Sequence, residues 1–216
     1  MATSLLLCAL VITFQSGPEA KAVQNPELRA ELLRRESLDQ VARNNWIDWT
    51  KRHGKNGAVD GANLDRDERT ELERLEAAVK KADETNTAWL KQVVREKSWP
   101  AISVVGSDGA DAAWLLVQHA DADSKFQREC LDLMAAMPEG EVSKTRLAYL
   151  TDRVLLAEGK KQRYGTQFQS VEGKWVPRPL EDPAHVDERR SAVGLNTLAE
   201  YVLQLEAAYG PASAGP

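Results

Sequence analysis

Apolar residues return every three or four positions through most of this chain, the period of a helix that buries one face. The first such segment opens at Asn25-Pro26, an N-cap followed by a first-position proline. It is expected to run to about Lys51, with Leu28, Leu32, Leu38, Val41, Trp46 and Trp49 on its apolar side. The glycine-rich stretch His53–Asn63 reads as a loop. Its acidic neighbours lack the D-x-[DN]-x-[DN]-G order of a calcium loop. A longer helix follows, from about Asp65 to Lys97. Its stripe, Leu72, Leu75, Val79, Ala82, Asn86, Trp89 and Val93, alternates steps of three and four, which is a heptad seam. Two helices joined by a short loop predict an antiparallel hairpin over residues 23–98. The seam packs by default within the chain, on the first helix or on the C-terminal domain, with self-association through residues 72–93 as the other use. Asn86 in that seam must find a partner, and so fixes register.

Trp99-Pro100 ends the long helix. Ile102–Val105 reads as a short extended or turn segment closed by Gly106, and Asp108 as the cap of a helix over Gly109–Ala120. That helix is apolar nearly all round, so it belongs in the middle of a core and carries His119 inward. Ser124 and Gln127 form a capping box for a helix to about Ala136, and Ser143 caps another to Glu158. The period then changes. Gln162–Val171, a Glu172-Gly173 turn and Lys174–Val176 read as a β-hairpin at about 162–176. Asp182-Pro183 starts a helix ending near Gly194, and Thr197 with Glu200 caps a last one to about Tyr209. Residues 99–209 thus form a helical domain after the hairpin, and 210–216 a disordered tail. The predicted fold is mainly α, with six or seven helices and one small β-hairpin.

Composition narrows what this fold does. At 216 residues, 43% apolar and 28% charged, the chain has an ordinary globular balance. Six tryptophans supply core or binding anchors. The net charge of −5 falls in residues 99–216, because acidic and basic residues balance over 23–98. No basic stripe extends beyond Lys160, Lys161 and Arg163, so nucleic acid is not an expected partner.

The run Ser4–Phe14 is too short to span a bilayer and fits the core of a signal peptide over residues 1–22, with Ala20-Lys21-Ala22 as the cleavage pattern. No Lys or Arg precedes it. Leu5-Leu6-Leu7-Cys8 sits too early for a lipoprotein box. The expectation is a protein with no stable membrane span, secreted or placed in the periplasm or cell envelope, and otherwise cytoplasmic. Cleavage would remove Cys8 and leave Cys130 alone. Beside Leu131, Leu133 and Met134, Cys130 reads as a buried thiol.

The stretch from Trp99 to Tyr201 resembles a widespread bacterial domain family of unknown function. The matching pieces are Trp99-Pro100, Gln118-His119-Ala120-Asp121, Tyr149-Leu150-Thr151-Asp152-Arg153-Val154 and Gln162-x-Tyr164-Gly165-Thr166-Gln167. They continue through Pro179-Leu180-Glu181-Asp182-Pro183, Val186-Asp187-x-Arg189-Arg190 and Gly194-Leu195. The resemblance implies a shared domain and brings no catalytic roles with it.

Chemistry must therefore come from the residues. His119 and Asp121 form an H-x-D pair able to act as acid and base or to begin a metal site, but a metal needs three or four ligands and no such set is legible. The bland reading is a core histidine, with Asp121 or Asp123 capping the next helix. Asp152 falls on a half-buried side of its helix and needs a cation or donors, with Arg163 and His119 as candidates. Gln118, Arg163, Tyr164, Thr166 and Gln167 supply donors and acceptors for a ligand pocket near His119, or else ordinary hairpin pairs. No nucleophile elbow, Walker loop, dinucleotide fingerprint or H-E-x-x-H motif occurs, and the cofactor is left unknown.

Two functions follow. One is an exported binding or interaction protein, whose partner is a small molecule or a protein, with a polar pocket around His119. The other is an enzyme, such as a hydrolase, using His119, Asp121 and Asp152. They separate by geometry, because catalysis requires these side chains to converge on a pocket that solvent reaches.

Overall fold

Helix α1 (Pro26–His53) starts where the cap pattern places it, with the Asn25 side chain accepting from the Leu28 N–H at 3.0 Å. Helix α2 (Arg66–Lys97) opens on a reciprocal Asp65–Glu68 capping box. The computed structural model describes residues 23–54 and 59–209. The expected signal peptide at 1–22 and the expected disordered tail at 210–216 lie outside the described residues. After Trp99-Pro100 come α3 (Ile102–Gln118), α4 (Ser124–Ala135) and α5 (Lys144–Ala157). Strands β1 (Phe168–Val171) and β2 (Lys174–Pro177) pair antiparallel, Phe168 opposite Pro177 and Val171 opposite Lys174. A 3-10 turn at Pro183–His185, α6 (Val186–Ala192) and α7 (Leu198–Tyr209) complete the order. The mainly helical fold with one small hairpin is thus the fold observed, with seven α-helices among the described residues.

The apolar helix α3 lies at the centre and packs on α1, α2, α4 and α5. Leu28 and Leu32 of α1, Leu90, Val93 and Val94 of α2, and Leu116 and Val117 of α3 join Cys130, Met134, Leu150 and Val154 in one buried cluster. The helical hairpin and the later helices therefore share a single core. Each fully buried leucine there contributes about 1.5–3 kcal/mol. Cys130 is buried, and burial raises its thiol pKa, so it is an inert packing residue. The α2 seam turns Leu75, Asn86 and Val93 inward, and Asn86 accepts from Arg35 of α1 at 3.2 Å. No helix among the described residues is long and apolar enough to cross a membrane.

The structure departs from the sequence reading in local ways. Ile102–Val105 is helical rather than extended, and α3 kinks at Gly106, where φ is +77°. A side chain at Gly106 would meet Asp108 Oδ1 at 3.0 Å and Val23 Cγ1 at 3.2 Å, so glycine fits both the backbone and the space. The Asp108 carboxylate pairs with Arg29 of α1 as well as accepting from the Gly109 N–H. Helix α4 is capped by Asp123, not Ser124, and Gln127 reaches back to the Val117 carbonyl instead of closing a box. On α1, Leu38 and Val41 are exposed and Trp46 sits at the surface, because the inward stripe runs Leu28, Leu32, Asp39, Trp49. The hairpin is shorter than the 162–176 read from the sequence, because residues 162–167 do not form strand but wrap around the Asp152 carboxylate.

Candidate functional site

His119 caps the C-terminus of α3, its N–H bonded to the Leu115 carbonyl at 3.1 Å, where the buried helix reaches the surface. Its side chain is 19% exposed. Nδ1 lies 2.9 Å from Asp39 Oδ2 and 3.0 Å from Arg43 Nε. These contacts demand opposite tautomers: toward Asp39 the ring nitrogen donates, and from Arg43 it accepts. Arg43 also lies 3.3 Å from Asp39 Oδ2 and holds Asp83 of α2 through a short contact. Burial pushes the Asp39 carboxyl up, but the contacts with His119, Arg43 and Gln40 outweigh it and leave the group below the usual carboxylate range. Asp83 goes the other way, burial holding it above that range despite Arg43 and His119.

Asp39, Asp83 and His119 each bring a ligand-type atom within 4.8 Å of the others. The sequence reading found no metal set because two of these residues come from α1 and α2. The Arg43 guanidinium lies among them and supplies a positive charge already, so a metal ion would have to displace it. Asp39 was legible in principle. At 3.6 residues per turn it falls between Leu28 and Leu32 on the α1 wheel, and an aspartate in an apolar stripe demands partners.

Two cavities meet at His119. On the hairpin side is a cleft of about 670 Å³, bordered by Arg43, Trp46, Asp83, Lys91 and the segment from His119 to Asp123. On the other side a cavity of about 330 Å³ lies among the end of α3, α5, residues 166–168 and α7. Gln118, Thr166 and Gln167 all line this second cavity, with Tyr149, Phe168 and Tyr201 among its walls. The rings brace one another edge to face: Trp114–Tyr149 at 6.0 Å, Tyr149–Tyr201 at 6.2 Å and Phe168–Tyr201 at 5.5 Å. Gln118 is 4% exposed, and its Oε1 accepts from Arg153 Nε at 2.7 Å. Among the described residues its Nε2 has no hydrogen-bond partner. An unmet buried donor costs about 1–3 kcal/mol, so it asks for an explanation.

The remaining candidates do not join this group. Asp121 is largely exposed and faces Arg153, whose Nη1 donates to both its oxygens at 2.8 and 2.9 Å. Asp152 is fully buried, and neither Arg163's side chain nor His119 is its partner. Its oxygens accept backbone N–H bonds from Arg163 (2.7 Å), Tyr164 (3.0 Å) and Thr166 (2.9 Å). Asp152 is therefore closed off from His119, Asp121 shares with His119 only the border of the larger cleft, and the carboxylate in contact with His119 is Asp39. Tyr164 contributes its backbone to this cage, its carbonyl accepting from Arg190 Nη1 at 2.7 Å. The Arg163 side chain turns outward, 3.6 Å from Glu181. Sequence reasoning named Gln118, Thr166 and Gln167 but missed Arg153, Tyr149 and Tyr201, which reach the cavity from α5 and α7.

Fold and site together define a mainly helical protein with a preformed aromatic cavity beside a histidine–carboxylate cluster. The chain belongs to DUF6624, a family of unknown function, whose sequence profile matches residues 62–213. That match takes in α2 as well as the segment after Trp99. No curated protein and no solved structure matches the chain.

Proposed function

We propose that this is a small-molecule binding protein, exported by its N-terminal segment, whose ligand occupies the aromatic cavity beside His119. The observation that carries this reading is convergence. The pairs Gln118-His119 and Thr166-Gln167 stand far apart in sequence yet border one cavity of about 330 Å³, a size within the range of small-molecule sites. Edge-to-face rings hold its walls in place, so little ordering is needed on binding.

A fragment library read by thermal shift and tryptophan fluorescence tests it, using the full chain and a variant that fills the cavity, Leu205→Trp. The expected result is a set of compounds that raise the Tm of the parent and not of the filled variant. Compounds that act equally on both, or a library without hits, overturn it. Export has its own test in the N-terminal sequence of the protein recovered from its native cells. A start just after Ala22 in an extracytoplasmic fraction supports export, and an intact Met1 in the cytoplasm removes it.

One observation favours a second reading, acid–base catalysis at His119. The ring's Nδ1 lies 2.9 Å from a buried carboxylate, Asp39, an arrangement that orients an imidazole for proton transfer through Nε2. Under this reading a panel of ester and phosphate substrates reveals turnover, and His119→Ala lowers it by about a hundredfold or more while remaining folded. Turnover unchanged in that variant rejects it.

A further inference from the structure

The two cavities that meet at His119 differ in charge. Glu76, Asp83, Glu84, Asp121 and Asp123 border the larger cleft together with Arg43, Lys80 and Lys91, so acids outnumber bases there. Among the described residues no aspartate or glutamate borders the smaller cavity, and Arg153 brings its guanidinium there. The Arg153 guanidinium is held by Gln118 through Nε and by the exposed Asp121 through Nη1, so an acid entering the smaller cavity would share that cation with Asp121.

The unmet hydrogen bonds of the smaller cavity call for an acceptor. Among the described residues three buried side-chain polar atoms lack a partner: Asp39 Oδ1, Trp114 Nε1 and Gln118 Nε2. The last two are N–H donors, and both residues border the aromatic cavity. Trp114 also borders a further cavity of about 250 Å³, so Gln118 carries more weight. Its amide head is fixed by the bond from Arg153 Nε to Oε1, and Arg153 borders the same space. That bond assigns oxygen and nitrogen within the amide, because a guanidinium only donates. The free end of Gln118 is therefore a donor, and what satisfies it must bring an acceptor.

The walls set the rest of the ligand. Tyr149, Phe168, Trp175 and Tyr201 enclose a volume of about 330 Å³. That space is small for a binding site and suits a flat ring packed against ring faces and edges. Resting on the binding reading above, we infer that the cavity takes a small monocyclic aromatic carboxylate, its ring among these four side chains and its oxygens at Gln118 Nε2 beside Arg153. Association and dissociation are the whole of the event, with no bond made or broken.

The test compares benzoate, benzamide and benzylamine, near-isosteric rings carrying an anion, a neutral amide and a cation, by titration calorimetry and tryptophan fluorescence on the full chain. Benzoate is expected to bind about tenfold or more tighter than benzamide, with benzylamine weakest. Gln118→Met, which keeps length and removes the donor, is expected to weaken benzoate about tenfold and benzamide about threefold or less. Arg153→Met, at a partly exposed position, is a second probe that spares the core if the first variant folds poorly, and it should weaken benzoate alone. Benzamide or benzylamine binding as tightly as benzoate overturns the acid preference and leaves the cavity reading standing. Failure of all three rings at millimolar concentration overturns the inference and counts against that reading as well.

Discussion

Asp39 and Asp152 are both buried carboxylates, and they are satisfied in opposite ways. Asp152 accepts three kinds of backbone N–H bond from one loop, residues 163–166, and meets no side-chain cation directly. Asp39 meets His119 and Arg43, side chains on two different helices, and among the described residues its other oxygen has no partner. Backbone donors do not move without unfolding the loop, so the Asp152 cage is scaffold. Side-chain donors at the edge of a cleft can exchange partners, so the Asp39 cluster is where the protein can respond to a ligand or a proton. Function in this chain is accordingly sought around His119, even though Asp152 sits in the more distinctive sequence motif.

The sharpest way to break this comparison is Asp152→Ala. It leaves the N–H groups of Arg163, Tyr164 and Thr166 buried without acceptors. The expected loss is about 3–5 kcal/mol, a large part of the 5–15 kcal/mol typical of a domain. Urea unfolding would show it as a lower midpoint at an unchanged slope. A loss below about 1 kcal/mol, the net value of one ordinary hydrogen bond, would mean that the cage is not a scaffold. Gly165 supports the scaffold assignment independently. Its φ is +65°, and an added Cβ would meet Leu198 Cδ1 at 2.8 Å, so the loop's path is set by close packing as well as by the carboxylate.

Asp39→Asn sharpens the other side. Replacing the carboxylate weakens its bonds to His119 and Arg43 and should cost about 1–3 kcal/mol at neutral pH. The pH dependence carries the sign. The folded Asp39 pKa is depressed, so its stabilisation is complete above the unfolded carboxylate value of about 4 and is lost as pH falls through the lower folded value. The gap between parent and variant should therefore be constant from neutral pH down to that point and close below it. Asp83, whose carboxyl is held up, acts in the reverse sense: its ionisation works against folding, and acid relieves that. A gap that instead closes well above the carboxylate range would mean that Asp39 is not the group whose proton controls this stability.

What was legible in the sequence follows the range of the forces involved. Caps and periods are local, so α1, α2, α5 and α7 begin within a residue or two of Asn25, Asp65, Ser143 and Thr197. The apolar run around Trp114 correctly identified the central helix. Failures came where a distant partner decided the outcome. Residues 162–167 look like strand, but a carboxylate on α5 draws their amides into a loop. Leu38 and Val41 look like core, but the packing of α1 on α3 turns Asp39 inward instead. For the candidate site, Gln118, His119, Thr166 and Gln167 were readable as polar residues in apolar or strand-like surroundings. Asp39 was readable from its place between Leu28 and Leu32 on the helix wheel but was passed over, whereas Arg43 and Arg153 look like ordinary helix polarity until the helices are brought together.

The smallest expected effect separates a residue's side chain from its backbone. Arg163 was read from the sequence as a candidate cation for Asp152 and as a residue of a ligand pocket near His119. Its side chain is half exposed, 3.6 Å from Glu181, and borders neither cavity at His119. Its N–H, by contrast, is the closest donor to Asp152, at 2.7 Å. Arg163→Ala removes the guanidinium and keeps that N–H. An exposed ion pair contributes little, so stability should change by no more than about 0.5 kcal/mol, and ring binding in the aromatic cavity should change by less than about twofold. Urea unfolding and the benzoate titration measure both. A tenfold loss of binding would require the guanidinium to swing from Glu181 to the cavity and would move the anion's partner from Arg153 to Arg163. Unchanged binding, set beside the weakening expected of Arg153→Met, would place the charge that matters on α5, next to Gln118, and leave residue 163 to its backbone.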